Sequence, residues 1–172
     1  PAQRDSLSYK QKEGYGTAFT SNSSSSGSKP NAKGLLTGTR TYLLDGSGKY
    51  TIQAFYYDEK DNIIQTRQSN HLGGYTTAYR VDFRGKPINV LKESSISGNR
   101  YGNVSELYSY TYDQAERRLT TSYRLNGNPA ITLSENEYDE LGRLQTTYRH
   151  NRTDTVCYQY TELDNPNKKR LI

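Results

Sequence analysis

The feature that most restricts this chain is a short motif that returns four times. Its clearest copy is Tyr138-Asp139-Glu140-Leu141-Gly142-Arg143-Leu144. An Asp that opens a turn accepts a hydrogen bond from the backbone N–H two residues on. Gly142 supplies the positive φ that a turn followed by a bulge requires. Tyr138, just ahead of the turn, is an amphipathic ring suited to a half-buried sheet face, and Arg143 leads the chain back antiparallel. Together these residues make one β-hairpin corner.

The other copies are Tyr57-Asp58-Glu59-Lys60-Asp61, Val81-Asp82-Phe83-Arg84-Gly85, with Val in place of Tyr, and Tyr112-Asp113, with Glu116 at the glycine place. Asp61 is tolerable there because Asp visits the left-handed region, whereas Glu116 costs about 1 kcal/mol or demands another turn geometry. Asp58, Asp82, Asp113 and Asp139 are spaced by 24, 31 and 26 residues. One hairpin per irregular period of this length is the mark of a β-repeat array.

Those corners, with the run Phe55-Tyr56-Tyr57-Asp58, then Ile64-Gln65-Thr66 and Asn70-His71-Leu72-Gly73-Gly74, resemble the RHS/YD-repeat family of large bacterial surface proteins. The resemblance covers roughly residues 35 to 162. It implies a wall segment of a β-shell that encloses a cargo region, often a toxin, in a protein at the bacterial cell surface or outside the cell. The partners so implied are neighbouring repeats of a longer chain and the enclosed cargo.

Between the corners, polar and apolar residues alternate with the period of a pleated strand. Tyr108, Tyr110 and Tyr112 fall on one face, as do Tyr75, Thr77, Tyr79 and Val81, and again Val156, Tyr158 and Tyr160. The pattern predicts strands over 40–44, 50–57, 63–70, 75–81, 88–94, 108–112, 117–123 and 155–161, with turns at Asp45-Gly46-Ser47-Gly48 and Leu72-Gly73-Gly74. Ala130 to Tyr138 has no clear facing, since Ser134 and Asn136 share the parity of Tyr138. Residues 1–34 lack a period, and Ser21 to Ser28 has the composition of a flexible linker. Tyr9, Tyr15 and Phe19 nonetheless give that segment something to bury on a sheet face or edge. The expected organisation is a flexible N-terminal segment, 1–34, and a repeat domain, 35–172.

Only 31% of the residues are hydrophobic, and 17 of the 172 are Tyr. A broad sheet packed on one face by tyrosines and wet on the other suits that composition better than a thick two-layer core. The net charge of +5 is scattered through strands and turns, with its one run at Lys168-Lys169-Arg170, and no recognition helix or RNP pattern accompanies it. Nucleic acid is therefore not an expected partner. No apolar stretch is long enough to span a bilayer as a helix. The opening on Pro1 suggests a piece of a longer protein.

Catalytic chemistry finds little purchase. His71 sits in its Asn-His-Leu-Gly-Gly turn with only His150 elsewhere, and neither a nucleophile nor an orienting acid accompanies it. Cys157 is the sole cysteine, which rules out an intrachain disulfide, and it has no positive neighbour to lower its pKa. Asp58-Glu59-Lys60-Asp61 lacks the ligand spacing of a calcium loop. The tyrosines remain. Tyr108, Tyr110 and Tyr112 are candidate ligand-contact aromatics for a glycan or receptor, although cross-strand pairing explains the same periodicity.

The expectation is an all-β fold: a large twisted antiparallel sheet of about ten strands built from hairpins. Its role is structural and non-catalytic, without a cofactor or metal. A carbohydrate- or receptor-binding surface is the alternative, and edge-to-edge pairing of two copies is expected of exposed terminal strands. The residues that carry the repeat are Tyr57, Asp58, Asp82, Gly85, Tyr112, Asp113, Tyr138, Asp139, Gly142 and Arg143.

Overall fold

The computed structural model describes residues 7–16, 18, 34–70, 73–96 and 102–160. The described residues contain no helix. Ten strands succeed one another: β1 Gly38–Tyr42, β2 Tyr50–Tyr57, β3 Ile63–Ser69, β4 Gly73–Val81, β5 Pro87–Ile96, β6 Val104–Tyr112, β7 Arg118–Leu125, β8 Ile131–Tyr138, β9 Leu144–Arg149 and β10 Asp154–Cys157. They form one sheet in the order β1 to β10, each strand beside its neighbours in the chain. The expected all-β, antiparallel sheet of about ten strands is what the chain adopts. Such a meander needs only local hairpins, so the turn chemistry of the sequence suffices to specify its topology.

The chain divides into two compact units, Pro1–Tyr108 with Leu125–Asn128, and Ser109–Arg124 with Pro129–Ile172. In the first, β2 to β5 carry the buried apolar residues Tyr57, Ile64, Ala78 and Val90, joined by Leu7 and Ala18 from the N-terminal segment. Residues 7–12 cross the sheet face that Tyr56, Gln65, Arg67 and Glu93 share by register. In the second unit Thr147 is the buried residue among those described.

The hairpins at the Asp58, Asp82 and Asp139 corners each carry an extra residue just beyond the turn. Tyr56 and Tyr57 oppose Gln65 and Ile63, Arg80 and Val81 oppose Asn89 and Pro87, and Glu137 and Tyr138 oppose Thr146 and Leu144. Ile64, Ile88 and Gln145 are the residues stepped over. A bulge of this kind bends the strand and reverses the facing of the residues beyond it, which simple alternation does not register.

Several predicted boundaries move. The first strand runs from Gly38 to Tyr42 rather than 40–44, because the loop begins one bond past it, with Leu43 N–H donating to Lys49 O at 2.9 Å. Gly73 and Gly74 belong to β4, not to a turn. Asn70 closes the hairpin instead, donating to Gly73 O and accepting at its side chain from Gly73 N–H, both at 3.0 Å. β5 extends to Ile96, and β10 ends at Cys157, although Tyr158 N–H still donates to Gln145 O at 2.9 Å. His71 and the Ser21–Ser28 tract lie outside the described residues.

Candidate functional site: corner ladder and strapped face

The four Tyr-Asp corners share one geometry. In each, the Asp N–H donates to the carbonyl four residues on: Asp58 to Asn62 at 3.0 Å, Asp82 to Lys86 at 2.8 Å, Asp113 to Arg117 at 3.0 Å and Asp139 to Arg143 at 2.9 Å. The residue at the glycine place donates back to the Asp carbonyl, at 2.9 to 3.2 Å. That residue has positive φ whatever its type: 62° at Asp61, 85° at Gly85, 65° at Glu116 and 80° at Gly142. Glu116 therefore takes the left-handed conformation rather than a different turn, so its corner keeps the geometry at a cost of about 1 kcal/mol.

One oxygen of each carboxylate accepts the backbone N–H four residues on, at 2.8 to 2.9 Å. It also takes the N–H two residues on, from Lys60 at 2.8 Å and Arg84 at 2.9 Å in the first two corners. At three corners the other oxygen meets the side chain at that fourth position: Asn62 Nδ2 at 3.0 Å, Arg117 Nε at 2.6 Å and Arg143 Nε at 2.7 Å. For Asp82, Asp113 and Asp139 partial desolvation pushes the carboxyl up, but the N–H donors and the neighbouring cation together hold it below its ordinary value. These carboxylates are committed acceptors, which is a structural occupation rather than that of a free general acid or base.

Successive corners interlock within each unit. A Cβ built on Gly85 would sit 2.5 Å from Asn62 Oδ1, and one on Gly142 would sit 2.9 Å from Arg117 Nη1. Glycine at these two positions thus answers both the φ and the close approach of the preceding corner. In the second unit Arg117 also lies over the Tyr138 ring, 4.5 Å from its centroid, while the Tyr138 hydroxyl donates to Arg118 O at 2.8 Å. The same pair of contacts recurs one repeat later. Arg143 lies 4.6 Å over Tyr160, whose hydroxyl donates to Leu144 O at 2.8 Å. At the other end, Tyr57 donates to Leu36 O at 2.8 Å. The ladder thus runs beyond the four Asp corners to Tyr160, a position with no Asp after it.

A second recurring device sits at the opposite strand ends. Asn126 donates its N–H to Ser105 O at 2.7 Å and accepts from Ser105 N–H at 2.8 Å. Asn151 makes the matching pair with Thr132, at 2.9 and 2.7 Å. Both Asn residues have positive φ, 48° and 55°. The sequence signal is Tyr123-Arg124-Leu125-Asn126 against Tyr148-Arg149-His150-Asn151; it is short and polar, and hydrophobic periodicity passes over it.

Tyr108, Tyr110 and Tyr112 are each half-buried along β6. Lys92 Nζ lies 5.1 Å from the Tyr108 ring centre and the Arg118 guanidinium 5.0 Å from that of Tyr110. Side-chain cations thus lie over two of these rings. The strand from Ala130 to Tyr138 acquires a facing, with Asn136 Nδ2 and Tyr138 Oη both reaching Arg118 O. Cys157 is exposed.

The first unit holds an open groove of about 520 Å³ between the Asp58 and Asp82 corners and the N-terminal segment, lined by Gly14, Gly16, Lys60, Tyr79 and Phe83 among others. Its acids include the corner carboxylates, already bonded to backbone N–H groups. Among the described residues no group of three or more His, Cys, Asp and Glu is placed to hold a metal ion, and no helix is long and apolar enough to cross a membrane.

Fold and corners together define an antiparallel meander of repeated Tyr-Asp hairpins. Comparison with known proteins finds no family model that matches the chain, and no curated protein that matches it either.

Proposed function

We propose that this chain is a structural, non-catalytic run of Tyr-Asp hairpin repeats, a wall segment of a larger RHS-type β-shell outside the cell or at a bacterial surface. Its partners are further repeats that continue the sheet, and a cargo region that the shell encloses. The observation that carries this reading is the ladder itself. Arg143 and Tyr160 reproduce the contacts of Arg117 and Tyr138, so one device joins two successive repeats of the second unit. In a repeat array each unit is stabilised by the interface with its neighbour, and stability grows with copy number.

The test is to extend the array. A copy of residues 139–160, joined after Tyr160 and bearing its own Tyr-Asp corner, should fold in register and raise the thermal midpoint. Hydrogen exchange should then slow at β10. An added repeat that stays protease-sensitive and leaves β10 unprotected would refute the reading.

A further inference from the structure

Residues 7–12 lie on the first unit's sheet in an unusual way: the sheet grips their backbone. Arg67 Nη1 donates to Ser8 O at 2.5 Å, and the Tyr56 hydroxyl donates to Leu7 O. Gln65 takes both main-chain groups of Lys10, accepting from its N–H at 3.0 Å and donating to its carbonyl at 2.8 Å. An amide side chain so placed does what a neighbouring strand would do. With the segment in place Gln65 is 1% exposed and Arg67 8%. A buried guanidinium or amide is costly unless its hydrogen bonds are met. Here the main chain of residues 7–10 meets them, with Thr76 Oγ1 also accepting from Arg67 Nε.

The side chains of the segment divide: Leu7 is buried among the apolar residues of the first unit, while the rest stay nearer its surface. Ser8 and Lys10 are exposed. Tyr9 packs its ring on Tyr56 with centroids 5.4 Å apart, and Lys12 pairs with Glu93 at 2.6 Å. A groove of about 440 Å³, lined by Thr39, Arg40, Gln53 and Tyr56, continues from Leu7 and Ser8 toward β1.

We propose that this face of β2 to β5 is a binding site for a polypeptide segment, read largely through its main chain, and that residues 7–12 are its tethered ligand. The inference stands apart from the repeat reading, since it needs no further repeat and no enclosed cargo. Main-chain readout makes the site tolerant of sequence at the exposed positions, with the buried Leu7 together with Tyr9 and Lys12 setting the register.

The experiment uses the whole chain with a specific protease site placed in the Ser21–Ser28 tract. After cleavage, a fluorescent peptide of residues 5–18 should exchange into the groove and bind saturably. A peptide methylated on the Lys10 amide nitrogen should bind about tenfold more weakly, the value of one hydrogen bond. A peptide with Lys10 changed to Ala should bind within about threefold of the parent, since that side chain is exposed and Gln65 bonds only its main chain. Because these comparisons use one unaltered sheet, no variant of the groove itself has to fold. The proposal fails if the labelled peptide never enters, if the sheet unfolds once the segment leaves, or if methylation of that amide makes no difference.

Discussion

The two units use the same corner and solve the problem of an exposed sheet differently. In the first, a strap of chain covers one face, and the buried apolar residues Leu7, Ala18, Tyr57, Ile64, Ala78 and Val90 all belong to it. Its corners end in Asn62 and Lys86. The second has Thr147 as its one buried residue among those described, and its corners end in Arg117 and Arg143. A guanidinium is planar and can bond a carboxylate edge-on while lying flat on a ring. Arg117 and Arg143 do both, joining Asp113 to Tyr138 and Asp139 to Tyr160. The contrast teaches that the corner is a frame with one interchangeable position. Where a strap supplies burial, Asn or Lys suffices there; in the second unit, where the described residues include no strap, Arg makes the frame itself cohesive.

The largest effect should come from breaking the strap. Gln65→Leu leaves the Lys10 N–H and carbonyl without the groups that now satisfy them. Orphaning part-buried groups such as these costs toward the lower end of about 1–3 kcal/mol each, so a loss of about 2–4 kcal/mol is expected. Hydrogen exchange should accelerate in β2 to β5 and leave β8 to β10 unchanged. Acceleration throughout would show that the two units do not rest on separate devices.

Next in size is the interlock of the corners. Gly142→Val and Gly102→Val both place a β-branched residue at positive φ, 80° and 74°. Among the described residues no atom lies within 4 Å of a Cβ built on Gly102, whereas at Gly142 Arg117 Nη1 stands 2.9 Å away. The first substitution should therefore cost about 2 kcal/mol or more and the second about 1 kcal/mol, read from urea midpoints. Equal midpoints would mean that Arg117 yields freely and the corners do not interlock.

Acid should act on the second unit through the same groups. The folded-state pKa values of Asp113 and Asp139 are depressed, so their contribution is complete above the unfolded value of about 3.9 and is lost as pH falls through the folded one. The amides of Arg117 and Arg143, which donate to these carboxylates, should lose protection over that interval. Asp139→Asn, which keeps the shape without the charge, should flatten the response at Arg143. A profile at Arg143 that Asp139→Asn leaves unaltered would place the titration elsewhere.

Much of this frame is legible in the sequence, because it is local. Asp139 and Gly142 lie three residues apart, and the turn they specify depends on nothing distant. The meander results directly, since every strand pairs with its chain neighbour. The features that escape are those that join positions far apart. Gln65 reads as a strand residue among Ile64 and Thr66, and only the fold shows it gripping Lys10, 55 residues away. Arg67 is hidden for the same reason. The bulges after the corners also escape, because stepping over Ile64 or Gln145 reverses a parity that alternation assumes constant. Tyr160 lacks a following Asp, so motif matching passes over a rung that its contact with Arg143 makes plain.

The smallest effect sharpens the comparison most, because it alters the frame without touching either covering device. Asp61 and Glu116 both occupy the glycine place at positive φ, one in each unit. For an ordinary side chain that conformation costs about 1–2 kcal/mol, while Asp, with a short polar side chain that bonds locally, visits it more readily. Glycine removes the strain but adds freedom to the unfolded chain, worth about 0.4–1 kcal/mol in the opposite direction. Glu116→Gly should therefore stabilise by about 0.5 kcal/mol net, and Asp61→Gly should be close to neutral. Both variants are read by urea unfolding against the parent chain. A clear gain at Asp61, or a loss at Glu116, would mean that these side chains do more at their corners than tolerate a glycine's conformation.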